Sequence, residues 1–263
     1  MAMGSKAFEN PLISHARMRA MYRAMVEVRA LAPQLGPTRR LPRNLEACWV
    51  GTAIGLEPTD LTSDQRGTAA VQYIRAAGQR TLDKGPAASA LKALGDRPLA
   101  VAESASERLL CAIGAALALR TFGKGAGMAY VARDDLKRAE WLRILAIATR
   151  GDCNGTLPLV LVVTPGRTAP GFDLSSLAVM AGKSLGRRLP VLPVDASDAV
   201  ALYRAAQESL GRARTTGGAV VLECVRTGSD PIRLLGEQLV AKRICTPTWC
   251  MRVSQSSNAS QRT

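Results

Sequence analysis

The spacing of apolar and polar positions changes along the chain, and each change predicts an element. Pro158 to Val163 is an unbroken apolar run of strand length, bounded by turn signals, as expected of a strand buried on both faces of a parallel sheet. Met128 to Ala132, Pro190 to Val194 and Ala219 to Val225 are further strands of this kind. Between them lie segments with helical character: Ser106 to Arg120, a helix through Ala148 capped by Asp134 or Asp135, Leu174 to Leu185, and Ser197 to Ala213 with a Ser or Asp cap. Upstream, a helix runs from His15 to about Ala32 and stops before Pro33. A proline- and glycine-rich loop follows, and then Leu45 to Leu56, a helix rich in small residues. That helix and Cys111 to Leu119 suit close helix contact between subunits. Strands alternating with helices over short connections predict an α/β fold with a parallel sheet flanked by helices on both faces. Ligands bind such sheets beyond the carboxyl ends of the strands, here Ala132 to Asp134, Thr164 to Gly166, Asp195 to Ser197 and Arg226 to Gly228.

This pattern divides the chain into an irregular lead over 1–17, one domain over 18–245 and a flexible tail over 246–263, where Ser254 to Thr263 is wholly polar apart from Ala259. Composition narrows the chemistry. The aromatic share is 4%, so the core rests on Ala, Leu, Val and Ile. No apolar run approaches the roughly 18 residues of a membrane helix. His15 is the only histidine and reads as a surface helix residue rather than a base, which argues against Ser-His-Asp or Cys-His catalysis within the chain. Six cysteines without a Cys-x-x-Cys pair read as reduced thiols rather than a zinc site, and with no secretory signal they place the chain in the cytoplasm. The net charge of +14 attracts anions. No nucleic-acid fingerprint accompanies it, so dispersed basic residues on helices read as solvated faces or as a face for an acidic partner. A basic nucleic-acid-associated protein is the weaker alternative.

Several stretches resemble the alpha subunit of thiamine-diphosphate-dependent 2-oxo acid dehydrogenases of the pyruvate and branched-chain type. Met21-Tyr22-Arg23, with Met25, Val28 and Arg29, resembles the family's first helix. Asn44-Leu45-Glu46-Ala47 leading to Gly55-Leu56 and Asp60 is similar to its Gly-Gln-Glu-Ala helix and turn. Asp64-Gln65-Arg66-Gly67 is similar to the loop that carries Tyr-Arg and a His. Cys111 to Ala118 resembles its Ala-Val-Gly-Ala-Ala-Leu-Ala helix, and Leu157 to Val163 the strand that ends in Asn. Val191 to Asp198 resembles the Val-Asp-Gly-Asn-Asp turn, and Val220 to Glu223 a Leu-Ile-Glu strand. Order and spacing across about 18–226 carry the resemblance.

The resemblance implies the thiamine-diphosphate-binding fold, thiamine diphosphate as cofactor, and a beta-type dehydrogenase subunit as partner in a hetero-oligomer, with a homodimer as the other arrangement. The implied reaction is oxidative decarboxylation with acyl transfer to lipoamide. The implied cofactor-binding positions are Gln65, Arg66, Arg133, Asp134 and Thr164. The family's metal-binding Gly-Asp-Gly reads Ala132-Arg133-Asp134 here, and its metal-binding Asn reads Pro165. Mg²⁺ requires hard oxygen ligands; a guanidinium has only donors, and proline has no side-chain oxygen. No metal ligand and no catalytic residue is assigned. Three outcomes stand open: Arg133 pairs directly with phosphate, Asp134 keeps a metal by slipping one place, or the site is inactive and the domain is kept as an assembly or regulatory subunit.

Overall fold

The computed structural model describes residues 13–31, 44–63, 71, 74–75, 104–121, 125–151, 157–168, 171–183, 185–186, 188–215 and 218–259. In chain order the described elements are α1 (His15–Leu31), α2 (Glu46–Ala53), β1 (Leu61–Ser63), α3 (Ala105–Thr121), β2 (Gly127–Ala132), α4 (Arg138–Arg150) and β3 (Leu159–Thr164). Then come α5 (Leu174–Lys183), β4 (Val191–Asp195), α6 (Ala199–Thr215), β5 (Val220–Val225), α7 (Pro231–Ala241) and α8 (Pro247–Ala259). The five strands form one parallel sheet in the order β1-β2-β3-β5-β4. The fold is α/β with helices on both faces, as the strand–helix alternation predicts.

The period of two along each strand divides the core into two layers. Met128, Tyr130, Val160, Val162, Val220 and Leu222 point to one face, where α1, α2, α6, α7 and α8 cover them. Ala129, Val131, Leu159, Leu161, Val163 and Val221 point to the other, against α3, α4 and α5. At the open edge, β4 offers Pro190 O to Val221 N (2.9 Å) and takes Val225 O with Ala196 N (2.8 Å), so its even-numbered backbone faces β5. The odd-numbered Pro193 therefore turns its missing N–H outward, which blunts the edge against further strand pairing.

Three expectations are corrected. Asp134 and Asp135 do not cap a helix: α4 begins at Arg138, and Glu140 Oε2 accepts the Lys137 N–H at 2.8 Å as half of a capping box. The ladder delays the helix, because Arg133 N still donates to Thr164 O (2.9 Å) and Asp135 Oδ2 turns back to Ala132 N (3.2 Å). The helix after β4 is capped by an aspartate as expected, Asp198 Oδ1 accepting from Val200 N and Ala201 N at 3.0 Å each. The small-residue helix expected to meet another subunit is used inside the chain, since all eight residues of α2 are buried. A Cβ at Gly51 would lie 2.8 Å from Leu202 Cβ and 2.9 Å from Ala199 O, so only glycine permits α2 this close to α6. The flexible tail over 246–263 is instead helix α8 as far as Ala259. Thr246 Oγ1 accepts the Trp249 N–H, Trp249 packs on Tyr22 of α1 with ring centroids 5.7 Å apart, and Val253 is buried. Finally, α7 was not expected at all. Asp230 caps it, accepting from Ile232 N and Arg233 N, with Pro231 in the first turn where its missing N–H costs nothing.

Candidate functional site at the carboxyl ends of the sheet

The topology places a crevice between β3 and β5. The chain leaving β3 runs to α5 on one face, and the chain leaving β5 runs to α7 on the other. Loops that part to opposite faces leave an opening beyond the carboxyl ends, which is where parallel sheets bind ligands. A cavity of about 570 Å³ lies there, lined by the ends of β2, β3 and β5 and by the loop after β3. Its polar side chains are Arg133, Thr164, Arg167, Thr168, Glu223 and Arg226.

Arg133 sets the character of this cavity. The residue is 5% exposed. Its Nη1 lies 3.3 Å from Glu223 Oε1, an ion pair across the mouth of the sheet. Nη2 donates to Phe172 O at 2.7 Å, and the guanidinium sits 4.6 Å from the centre of the Phe172 ring. Its backbone is also fixed, because Trp141 Nε1 donates to Arg133 O at 3.1 Å. Nε and Nη1 have no hydrogen-bond partner; the ion pair is close enough for attraction but not aligned for a hydrogen bond. Burial pushes the Glu223 carboxyl above the ordinary glutamate value; the Arg133 charge offsets part of this, and Asp173 adds to it. Burial likewise lowers the Arg133 pKa, although a guanidinium stays charged at neutral pH.

The other expected positions divide as follows. Thr164 lines the cavity, but its buried Oγ1 donates to Val131 O at 3.4 Å and serves the sheet. Asp134 is exposed, and its Oδ2 accepts the Arg167 N–H at 2.8 Å, tying the turn after β2 to the loop after β3. A Cβ at Gly166 would stand 2.7 Å from Asp134 Cγ, so glycine there lets the two loops meet. Gln65 and Arg66 lie outside the described residues. Glu223, Arg167, Arg226 and Phe172 were not singled out as site residues. Glu223 carries the one sequence signal among them, a lone carboxylate inside the apolar run Val220 to Val225.

The described residues do not fit the magnesium and diphosphate that the resemblance implies. At the metal position stands a cation already paired with Glu223, Asp134 is engaged by the neighbouring loop, and Pro165 adds no oxygen. Among the described residues no three His, Cys, Asp or Glu side chains are grouped to hold a metal ion. No described helix is long and apolar enough to cross a membrane. The chain matches no protein-family model and no curated protein sequence.

Proposed function

We propose that this chain is an alpha-type subunit of the 2-oxo acid dehydrogenase kind that assembles with a beta-type subunit and has given up the metal-dependent step. One observation carries the reading: the buried Arg133, paired with the half-buried Glu223, at the end of β2, where the resemblance calls for a metal-binding carboxylate. A buried cation repels Mg²⁺ at the distance where a carboxylate would attract it, and the surroundings weaken that repulsion less than water would. Two tethers hold Arg133, one at its side chain and one at its backbone, so it does not swing aside without cost. The domain retains the sheet, its switch point and the exposed small-residue side of α3, where Cys111, Gly114 and Ala118 face outward. That side supports an assembly role, because a Cβ at Gly114 would meet nothing within 4 Å in this chain.

Co-expression with a beta-type subunit from the same genome tests the proposal. The expected result is a stable complex that does not decarboxylate 2-oxo acids when thiamine diphosphate and Mg²⁺ are added. Failure of the two chains to co-purify, or turnover that depends on Mg²⁺, contradicts it.

A further inference from the structure

We propose that the crevice between β3 and β5 is a metal-independent binding site for a small organic dianion, either a phosphate monoester or a dicarboxylate. The inference rests on the cavity itself and stands whether or not the chain joins a beta-type subunit. Three arginines are among its lining residues, Arg133, Arg167 and Arg226, against the single acidic residue Glu223. The lining therefore carries a surplus of two positive charges. The carboxylates of Asp134 and Asp173 stand outside the lining, one accepting the Arg167 N–H and the other accepting from Ser176 N and Oγ, and they reduce this surplus without lining the cavity. Buried in this lining, Arg133 keeps two N–H-bearing nitrogens, Nε and Nη1, without a hydrogen-bond partner. A buried donor left unpaired is costly, and because both nitrogens are covered in this structure, an oxyanion recovers that cost by drawing the Arg133 guanidinium away from Glu223. Arg167 and Arg226 are exposed at the rim, where guanidinium groups can fold over an anion in bidentate contact.

Size and lining favour an organic ligand over a bare ion. The volume of about 570 Å³ lies in the range of small-molecule sites. Val163, Pro165 and Val225 give the cavity apolar wall beside its charges. A ligand with a short carbon body and two negative charges matches both features. Glu223 shares Arg133 with such a ligand, so the anion competes with an ion pair that is not aligned for hydrogen bonding rather than with a saturated one.

Calorimetry on the full chain tests the site, with inorganic phosphate, glycerol 3-phosphate and succinate as probes, each with Mg²⁺ and with a chelator. The expected result is one-site saturable binding of glycerol 3-phosphate or succinate, the same with and without Mg²⁺. The stronger of the two identifies the headgroup. Arg167→Gln or Arg226→Gln is expected to weaken it about ten-fold, the loss of one charge-assisted contact. Both residues are exposed, so neither substitution threatens the fold. Arg233→Gln, on the exposed side of α7 next to Glu237, is the control and leaves binding unchanged. The proposal is overturned by any of four results: no probe saturates, binding requires Mg²⁺, both rim variants bind as the parent does, or the control weakens binding as much as the rim variants.

Discussion

At the scale of single residues, Arg133 and Glu223 form a pair whose two halves differ in what they can do when left alone. A carboxyl group can take up a proton; a guanidinium cannot lose one. Glu223→Gln therefore strands a charge on an Arg133 side chain that is 6% exposed, and we expect a loss of about 3 kcal/mol in urea unfolding. Arg133→Met leaves Glu223 free to neutralise, and its cost depends on pH. Burial already raises the Glu223 pKa above its ordinary 4.5, so ionising it opposes folding. Without Arg133 that pKa rises further. The loss in Arg133→Met should be small below the ordinary glutamate value, and should grow as pH rises through the folded value to about 2 kcal/mol near neutrality. A loss in Arg133→Met that is equal at acid and neutral pH would contradict this. The thiols give a second residue-scale prediction. Cys48 is fully buried and its pKa is raised by the adjacent Cys224 and by burial, while burial pushes Cys245 up to about 12. Cys111 is exposed. Because the thiolate is the reactive form, brief alkylation near about pH 8 should label Cys111 and spare Cys48 and Cys245, as read by peptide mapping.

At the scale of elements, glycine and small residues decide how close the helices come. Gly51→Ala pushes a methyl into Leu202 Cβ and the Ala199 carbonyl, neither of which is a flexible chain end. The expected cost is about 1–3 kcal/mol, measured as a shift in the urea midpoint with an unchanged slope. A neutral result would mean that α2 and α6 are farther apart than described. Strands β2 to β5 were legible in the sequence because each is a short, mostly apolar run between turn residues, and β3 matches the run Pro158 to Val163 to within one residue at each end; β1, Leu61-Thr62-Ser63, is too short and polar to stand out. The start of α4 was not, because the pair Asp134-Asp135 has the chemistry of a cap while its place is set by a strand partner, Thr164, distant in sequence. Helix α8 was hidden for another reason. Its apolar contacts, Trp249 and Val253, are few among polar residues, and α1 supplies the surface that orders it.

At the scale of the whole molecule, arginine accounts for much of the +14 charge, and several arginines are internal ties rather than solvated groups. Arg29 joins α1 to Glu46 at the start of α2 (2.7 Å) and to Asp230, the cap of α7 (2.8 Å). Arg214 of α6 pairs with the buried Asp60 before β1, which also accepts the Ala126 N–H ahead of β2. Composition does not distinguish such ties from a basic surface, since the difference lies in partners far apart in sequence. The site was half legible for the same reason. The carboxyl ends and Arg133 follow from the strand pattern, whereas the pairing with Glu223 depends on β5 lying two strands from β2 with β3 between them. The central claim is that this pair has replaced the metal. The most direct measurement is calorimetric titration of the chain, co-expressed with a beta-type subunit, with thiamine diphosphate in Mg²⁺ and again in chelator. The account predicts identical isotherms in the two conditions. Saturable binding that appears only with Mg²⁺ would contradict it.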